Sequence, residues 1–248
     1  PGVALSAGLV VFAATVHRGP QSEVLAIVRL AHRLAALAVV GAALEIAGVA
    51  KLFGEGWTDA LTDRAPGALL RLLGAGLVVA GLFEPPDTLP GERGERWLPT
   101  GPGVFALAGA IVAVVSFGFD GHTVSRGPRV AHAVVDAVHV AAGAVWAGGV
   151  VGLVAVAWLR RRPFPGPALS LGELAHAFGR VATVALLAVV AAGVGLTLFV
   201  VERLGDVVDS PWGRRLLIKL AAVAVAAALG AYHHFRDVDP HRLRRTLA

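Results

Sequence analysis

The sequence predicts an all-α protein, a polytopic bundle of transmembrane helices that forms a single domain over residues 1–248. Of its 248 residues, 56% are hydrophobic and only 16% are charged, whereas a soluble domain carries about 25% charged residues. The apolar runs exceed strand length, and Gly, Pro or charged residues close each of them, so only helices are plausible. About seven such segments follow one another, over residues 3–16, 24–49, 67–83, 104–119, 129–158, 171–201 and 212–232.

The basic residues lie in loops and at helix ends. This distribution indicates membrane orientation and not nucleic-acid binding, although the net charge is +5. If seven spans alternate, the loop at 160–162 and the C-terminal tail share one side, which the positive-inside rule makes cytoplasmic. The acidic loop at 84–96 fits this orientation poorly. The arginines concerned are Arg160, Arg161, Arg162, Arg236, Arg242, Arg244 and Arg245.

A stripe of ionisable residues interrupts the fifth segment. His132, Asp136 and His139 stand at i, i+4 and i+7, so a helix places them on one face. Ionisable groups at membrane depth are costly and usually face a bundle interior, a cavity or an ion path. With His122 in the preceding Gly-flanked loop, they predict a metal site near the extracytoplasmic surface.

The other histidines are interpreted mainly as structural. His17, in a short loop beside Arg18, is expected to be a solvated interfacial residue. His176 is expected to cap or pack the inner end of its helix together with Arg180, and His32 to bind a lipid phosphate or a carboxylate between two arginines. The same solvated role is expected in the basic tail for His233, His234 and His241.

Glu45 is a further acidic residue within an apolar segment. It could pair with Arg71 or line an ion path, and the sequence leaves both open. Catalysis is not expected, because no Gly-x-Ser-x-Gly or phosphate-binding Gly-x-x-x-x-Gly-Lys stretch occurs. The many glycines are expected to permit close helix packing.

Four motifs stand in order along the second half of the chain. They read Gly121-His122, then Asp136-x-x-His139 leading into Val145-Trp146-Ala147-Gly148-Gly149, then Phe178-Gly179-Arg180, and Trp212-Gly213-Arg214-x-Leu216-x-x-Lys219-Leu220.

In this order the motifs resemble the bacterial copper resistance D (CopD) family over about residues 115–236. The resemblance implies a multi-pass protein of the bacterial inner membrane, with about eight helices, that moves copper toward the cytoplasm. It also implies a CopC-like periplasmic copper-binding protein, or a fused CopC-like domain, as partner. Because a final helix follows the basic tail in that family, and because the sequence lacks methionine, we expect the chain to be truncated at both ends.

The donor chemistry fits copper only in part. The chain has no Cys and no Met, the soft ligands that copper(I) favours, whereas imidazole and carboxylate suit copper(II) or zinc better. Two or three imidazoles can also hold copper(I). We predict His132 and His139 as ligands and His122 as the third, with Asp136 as a ligand or as the acceptor that fixes an imidazole tautomer. Copper is the only cofactor expected, with the lipid bilayer as surroundings.

Two other functions remain open. A b-type membrane cytochrome could hold one haem between His32 and His176, and a reducible Soret band would reveal it. Alternatively, a copper-delivery factor for respiratory oxidase assembly would bind the same ion and differ in its acceptor. Arg180 and Lys219 receive no assigned role beyond pairing with Asp136 or with lipid headgroups.

Overall fold

The computed structural model describes residues 2–54, 56–59, 65–119, 129–161, 167–201 and 209–236. All seven predicted apolar segments are helical, and a single-turn helix adds an eighth element. A 3₁₀ turn, Ser116–Phe119, continues the fifth helix. The helices are α1 Gly2–Thr15, α2 Gln21–Phe53, α3 Trp57–Asp59, α4 Pro66–Gly81, α5 Gly103–Val115, α6 Arg129–Leu159, α7 Leu171–Val200 and α8 Pro211–Arg236.

Three of these helices, α2, α6 and α7, are long and apolar enough to cross a membrane. Three others, α1, α4 and α5 with its 3₁₀ turn, are apolar but shorter. The structure therefore confirms an α-helical membrane protein, whereas the number of seven spans stays a prediction.

The chain forms two compact units, residues 1–196 and 197–248. Within the first unit, α1 is the central helix and packs against α2, α5 and α6. Its buried residues face in all directions and include Leu9, Val10 and Phe12. A helix that is apolar all round is stable where other helices surround it, which explains the central position of α1.

Glycine allows the helices of the first unit to approach closely. A Cβ atom on Gly148 of α6 would lie 2.5 Å from the carbonyl carbon of Gly8 in α1. On α4, a Cβ atom at Gly74 would lie 2.7 Å from the backbone nitrogen of Ala113 in α5. Since neither position has room for a side chain, the expected packing role of the glycines is confirmed at these contacts.

A small antiparallel hairpin joins α4 to α5, which the sequence did not predict. Its strands, β1 Thr88–Leu89 and β2 Arg96–Trp97, have two residues each, too few for an alternating pattern. The hairpin is anchored to the α1–α2 turn by two backbone hydrogen bonds, Glu95 N–H to Gly19 O at 2.8 Å and the reverse at 3.2 Å. The acidic loop thus lies at the end of the bundle that holds this turn.

The α6–α7 connection reaches the same end, because the Leu169 N–H donates to Arg18 O at 3.3 Å. We call this end, which gathers the α1–α2 turn, the hairpin and residue 160, the arginine end. In the second unit, α8 starts at an N-cap, where the Ser210 hydroxyl accepts a hydrogen bond from Gly213 N–H at 3.0 Å.

Candidate functional site

The predicted stripe occupies the first three turns of α6. Because α6 is helical from Arg129, His132, Asp136 and His139 share one face as the spacing predicts. His132 is 2% exposed, and Asp136 and His139 are half-buried. His122, the fourth predicted ligand, lies outside the described residues.

A hydrogen bond to α7 fixes the ring of His139. Its Nδ1 atom lies 3.0 Å from the carbonyl oxygen of Val189. Since a carbonyl oxygen only accepts, Nδ1 carries the hydrogen, and the neutral ring presents a lone pair at Nε2. Metal-binding histidines commonly show this arrangement, in which the second ring nitrogen donates to a backbone carbonyl.

The small residue Gly193 makes room for the His139 ring. A Cβ atom at Gly193 would lie 3.4 Å from His139 Cε1, so a side chain there would crowd the imidazole. In the part of the chain that the structure describes, no group of three or more His, Cys, Asp or Glu side chains could hold a metal ion. The stripe therefore does not form a closed three-ligand centre by itself.

A second cluster, which the sequence analysis missed, lies at the arginine end. Glu23 is fully buried and accepts from Arg160 through both oxygens, Nε to Oε1 at 2.7 Å and Nη2 to Oε2 at 2.9 Å. His17 Nε2 lies 3.1 Å from Glu23 Oε2. Arg160 also donates to the carbonyl oxygen of Leu169, which ties the α6–α7 connection to the cluster.

The expectation for His17 was wrong. It is fully buried, not solvated, because the α1–α2 turn folds it under the bundle end toward Glu23. Its Nδ1 atom is buried and makes no hydrogen bond within the described residues. The one sequence signal was Glu23 itself, an acid directly before the apolar segment at 24–49.

The structure shows one of the two roles left open for Glu45, while a place along an ion path stays a prediction. Arg71 Nη2 donates to Glu45 Oε1 at 2.8 Å, so α2 and α4 are joined by an ion pair. The Arg71 guanidinium also lies over the Phe117 ring, 5.4 Å from its centroid. Glu45 is therefore an exposed acid that is paired with Arg71.

The remaining candidates lie on three different helices. His32 is half-buried on α2, where its Nδ1 atom makes no hydrogen bond within the described residues. His176 and Arg180 are exposed on α7, and Lys219 is exposed on α8. The tail residue His241 lies outside the described residues, as do Arg162, Arg242, Arg244 and Arg245.

Comparison with known proteins identifies one family. The model of Copper resistance protein D matches residues 172–247. These residues form a CopD segment. The match covers most of α7 and all of α8, and hence the Phe178 and Trp212 motifs, while the His132 stripe lies before it. No curated protein and no solved structure gives a significant match.

The CopD match associates the chain with copper resistance and transport. The family is a membrane transport and resistance family and is not known as an enzyme family. Together with the apolar helices, the match supports a membrane protein that handles copper.

Proposed function

We propose that this CopD-family protein carries copper across the bacterial inner membrane toward the cytoplasm, and that the ion enters at His132, Asp136, His139 and His122. The observation that carries the proposal is the His139–Val189 hydrogen bond. It leaves Nε2 as the free nitrogen of a half-buried imidazole, in a chain that matches a copper resistance family. That His132, Asp136 and His139 share one face of α6 does not carry the proposal by itself, because residues with only a packing role would share a face in the same way.

The depth of the stripe fits an entry position. Arg160 directly follows the last residue of α6 and lies 21 residues after His139, which corresponds to about 31 Å at 1.5 Å per residue. The hydrocarbon core of a bilayer is about 30 Å thick. With Arg160 at one membrane surface, His139 is therefore near the other.

The orientation follows from the arginine end. Arg18, Arg93, Arg96, Arg160 and Arg161 gather there. By the positive-inside rule this end faces the cytoplasm, and so does the C-terminal tail if the spans alternate. The stripe then faces the periplasm, where a CopC-like protein or domain would supply the ion.

The ligands suit an ion that must leave again. Two or three imidazoles and one carboxylate bind copper(II) through nitrogen and oxygen, and the chain offers no thiolate or thioether to trap copper(I). Asp136, one turn from both histidines, either completes the ligand set or orients a ring.

Copper accumulation in cells expressing His139→Asn tests the proposal. The shorter amide can donate an N–H from a position close to Nδ1 but has no nitrogen at the place of Nε2. We expect accumulation of labelled copper to fall to the level of cells lacking the protein, with unchanged amounts of protein in the membrane. His176→Asn, the same change at an exposed histidine of α7, should accumulate copper like wild type.

Accumulation by His139→Asn equal to wild type would remove His139 from the pathway. A loss shared with His176→Asn would also count against the site, because it would show sensitivity to any imidazole. Copper accumulation by His132→Gln is a second test of the same site. Glutamine is the conservative choice there, because His132 is buried and a smaller side chain would leave a cavity.

A further inference from the structure

An open groove separates the middle parts of α6 and α7. It has a volume of about 900 Å³, and its apolar walls include Ala142 and Val145 of α6 and Val184 and Ala188 of α7. Two contacts bound it along the helices, His139 with Val189 and Gly149 with Phe178. We call it the α6–α7 groove.

Three arginines from separate parts of the chain line one end of this groove. They are Arg18 of the α1–α2 turn, Arg93 of the hairpin and Arg180 of α7. Within the described residues none of them forms an ion pair. Arg18 donates to the carbonyl oxygen of His17 at 2.5 Å, and the charge of Arg93 acts on the exposed carboxylate of Glu173.

The arginines repel one another in the absence of a further anion. Burial and the charge of Arg96 both lower the pKa of the Arg18 guanidinium, which means that its positive charge is held at a cost. Arg18, Arg93 and Arg96 also line a smaller cavity of about 320 Å³, to which Glu92 contributes the one acidic side chain, so the lining keeps an excess of positive charge. An anion at this place would be stabilised by several guanidinium groups at once.

The same charges argue against a path for copper through the groove. A cation leaving between Arg18, Arg93 and Arg180 would meet three positive charges in surroundings of low dielectric constant. The apolar α6–α7 groove with its cationic end instead suits a molecule that has an apolar tail and an anionic head.

The groove is long enough to hold part of an acyl chain. Arg180 and Ala188 lie eight residues apart on α7, or about 12 Å. Ala188 directly precedes Val189, whose carbonyl oxygen contacts His139. An acyl chain whose phosphate is held at the arginines would therefore extend along the groove toward His139.

We propose that the α6–α7 groove binds an anionic phospholipid, with its headgroup phosphate held by Arg18, Arg93 and Arg180 and an acyl chain along Val145 and Val184. The positive end of the groove belongs to the side assigned to the cytoplasm, where anionic lipids attract basic residues. The bound lipid would fill the space between α6 and α7 and so support the helix that holds Val189 against His139.

The test is native mass spectrometry of the full chain purified in detergent and titrated with phosphatidylglycerol or phosphatidylcholine. We expect phosphatidylglycerol to bind more tightly and Arg93→Gln/Arg180→Gln to weaken it about 25-fold, or about fivefold per arginine. Phosphatidylcholine binding should change little. Arg161→Gln, at an exposed arginine outside the groove, should match wild type. Val184→Trp should weaken both lipids by filling the groove.

Equal affinity of wild type for the two lipids would overturn the proposal, since it would indicate ordinary annular lipid. An equal effect of Arg161→Gln and of the double variant would overturn it too. Inorganic phosphate is the third arm. If millimolar phosphate displaces phosphatidylglycerol completely, the site holds a free anion and the lipid assignment is wrong.

Discussion

Replacing Glu23 by glutamine tests the cluster at the arginine end. The carboxylate is fully buried, and the partner Arg160 side chain is 15% exposed. The glutamine side chain would keep the shape but remove the charge, and its single oxygen could replace only one of the two oxygens that accept from Arg160. In either orientation the amide NH₂ group would face an Arg160 donor, and a partly buried guanidinium would lose its counter-charge.

The expected loss can be placed within a known range. Breaking a buried ion pair by removing one partner costs about 3–5 kcal/mol. Because Arg160 is partly exposed and water can reach it, we expect the lower end, about 3 kcal/mol of unfolding free energy. The double variant Glu23→Gln/Arg160→Gln should lose less than the sum of the single changes, since it leaves no unpaired charge.

Unfolding in mixed micelles, followed by tryptophan fluorescence, measures this loss. Trp97 is 1% exposed in the hairpin next to the cluster and should report local opening. Arg161→Gln is the matched control, because it removes an exposed arginine one residue from Arg160. A Glu23→Gln variant within about 1 kcal/mol of that control would refute the reasoning, because surface ion pairs contribute about that much.

Two further predictions concern packing and orientation. Gly148→Ala should lower the unfolding free energy by about 3 kcal/mol, because its methyl group meets the backbone of Gly8. Gly41→Ala, where a Cβ atom meets nothing within 4 Å, should stabilise the helix by about 0.5–1 kcal/mol; equal unfolding of the two variants would contradict the packing. The cysteine-free chain also allows single thiols to report sidedness. In intact spheroplasts, a membrane-impermeant maleimide should label Val130→Cys and leave Arg161→Cys unlabelled, and the reverse pattern would invert the orientation.

The helices could be predicted because their signal is local. Each apolar run between Gly, Pro or charged residues became a helix, with bounds shifted by a few residues. The central place of α1 could not be predicted in this way. A short segment that is apolar on every side reads equally well as an incomplete span or as a helix enclosed by others, and only its neighbours decide.

The pairs of side chains that contact each other across helices could not be predicted, because the spacing of residues along the sequence does not encode such contacts. The stripe was visible because His132, Asp136 and His139 lie within eight positions of one another, and the helix follows from the same run. Glu23 and Arg160 are 137 positions apart, and no pattern connects them. Glu45 and Arg71, 26 positions apart, could be named as a possible pair but not chosen.

The separation between Glu23 and Arg160 also bears on how the protein is made. Ribosomes deliver α2 to the membrane long before α6 emerges, so Glu23 enters the bilayer region ahead of the residue that neutralises it. Until then the acid must stay at the surface, protonated or hydrated. The Glu23–Arg160 ion pair can therefore form only after α6 has been synthesised, which makes it one of the later contacts of the bundle.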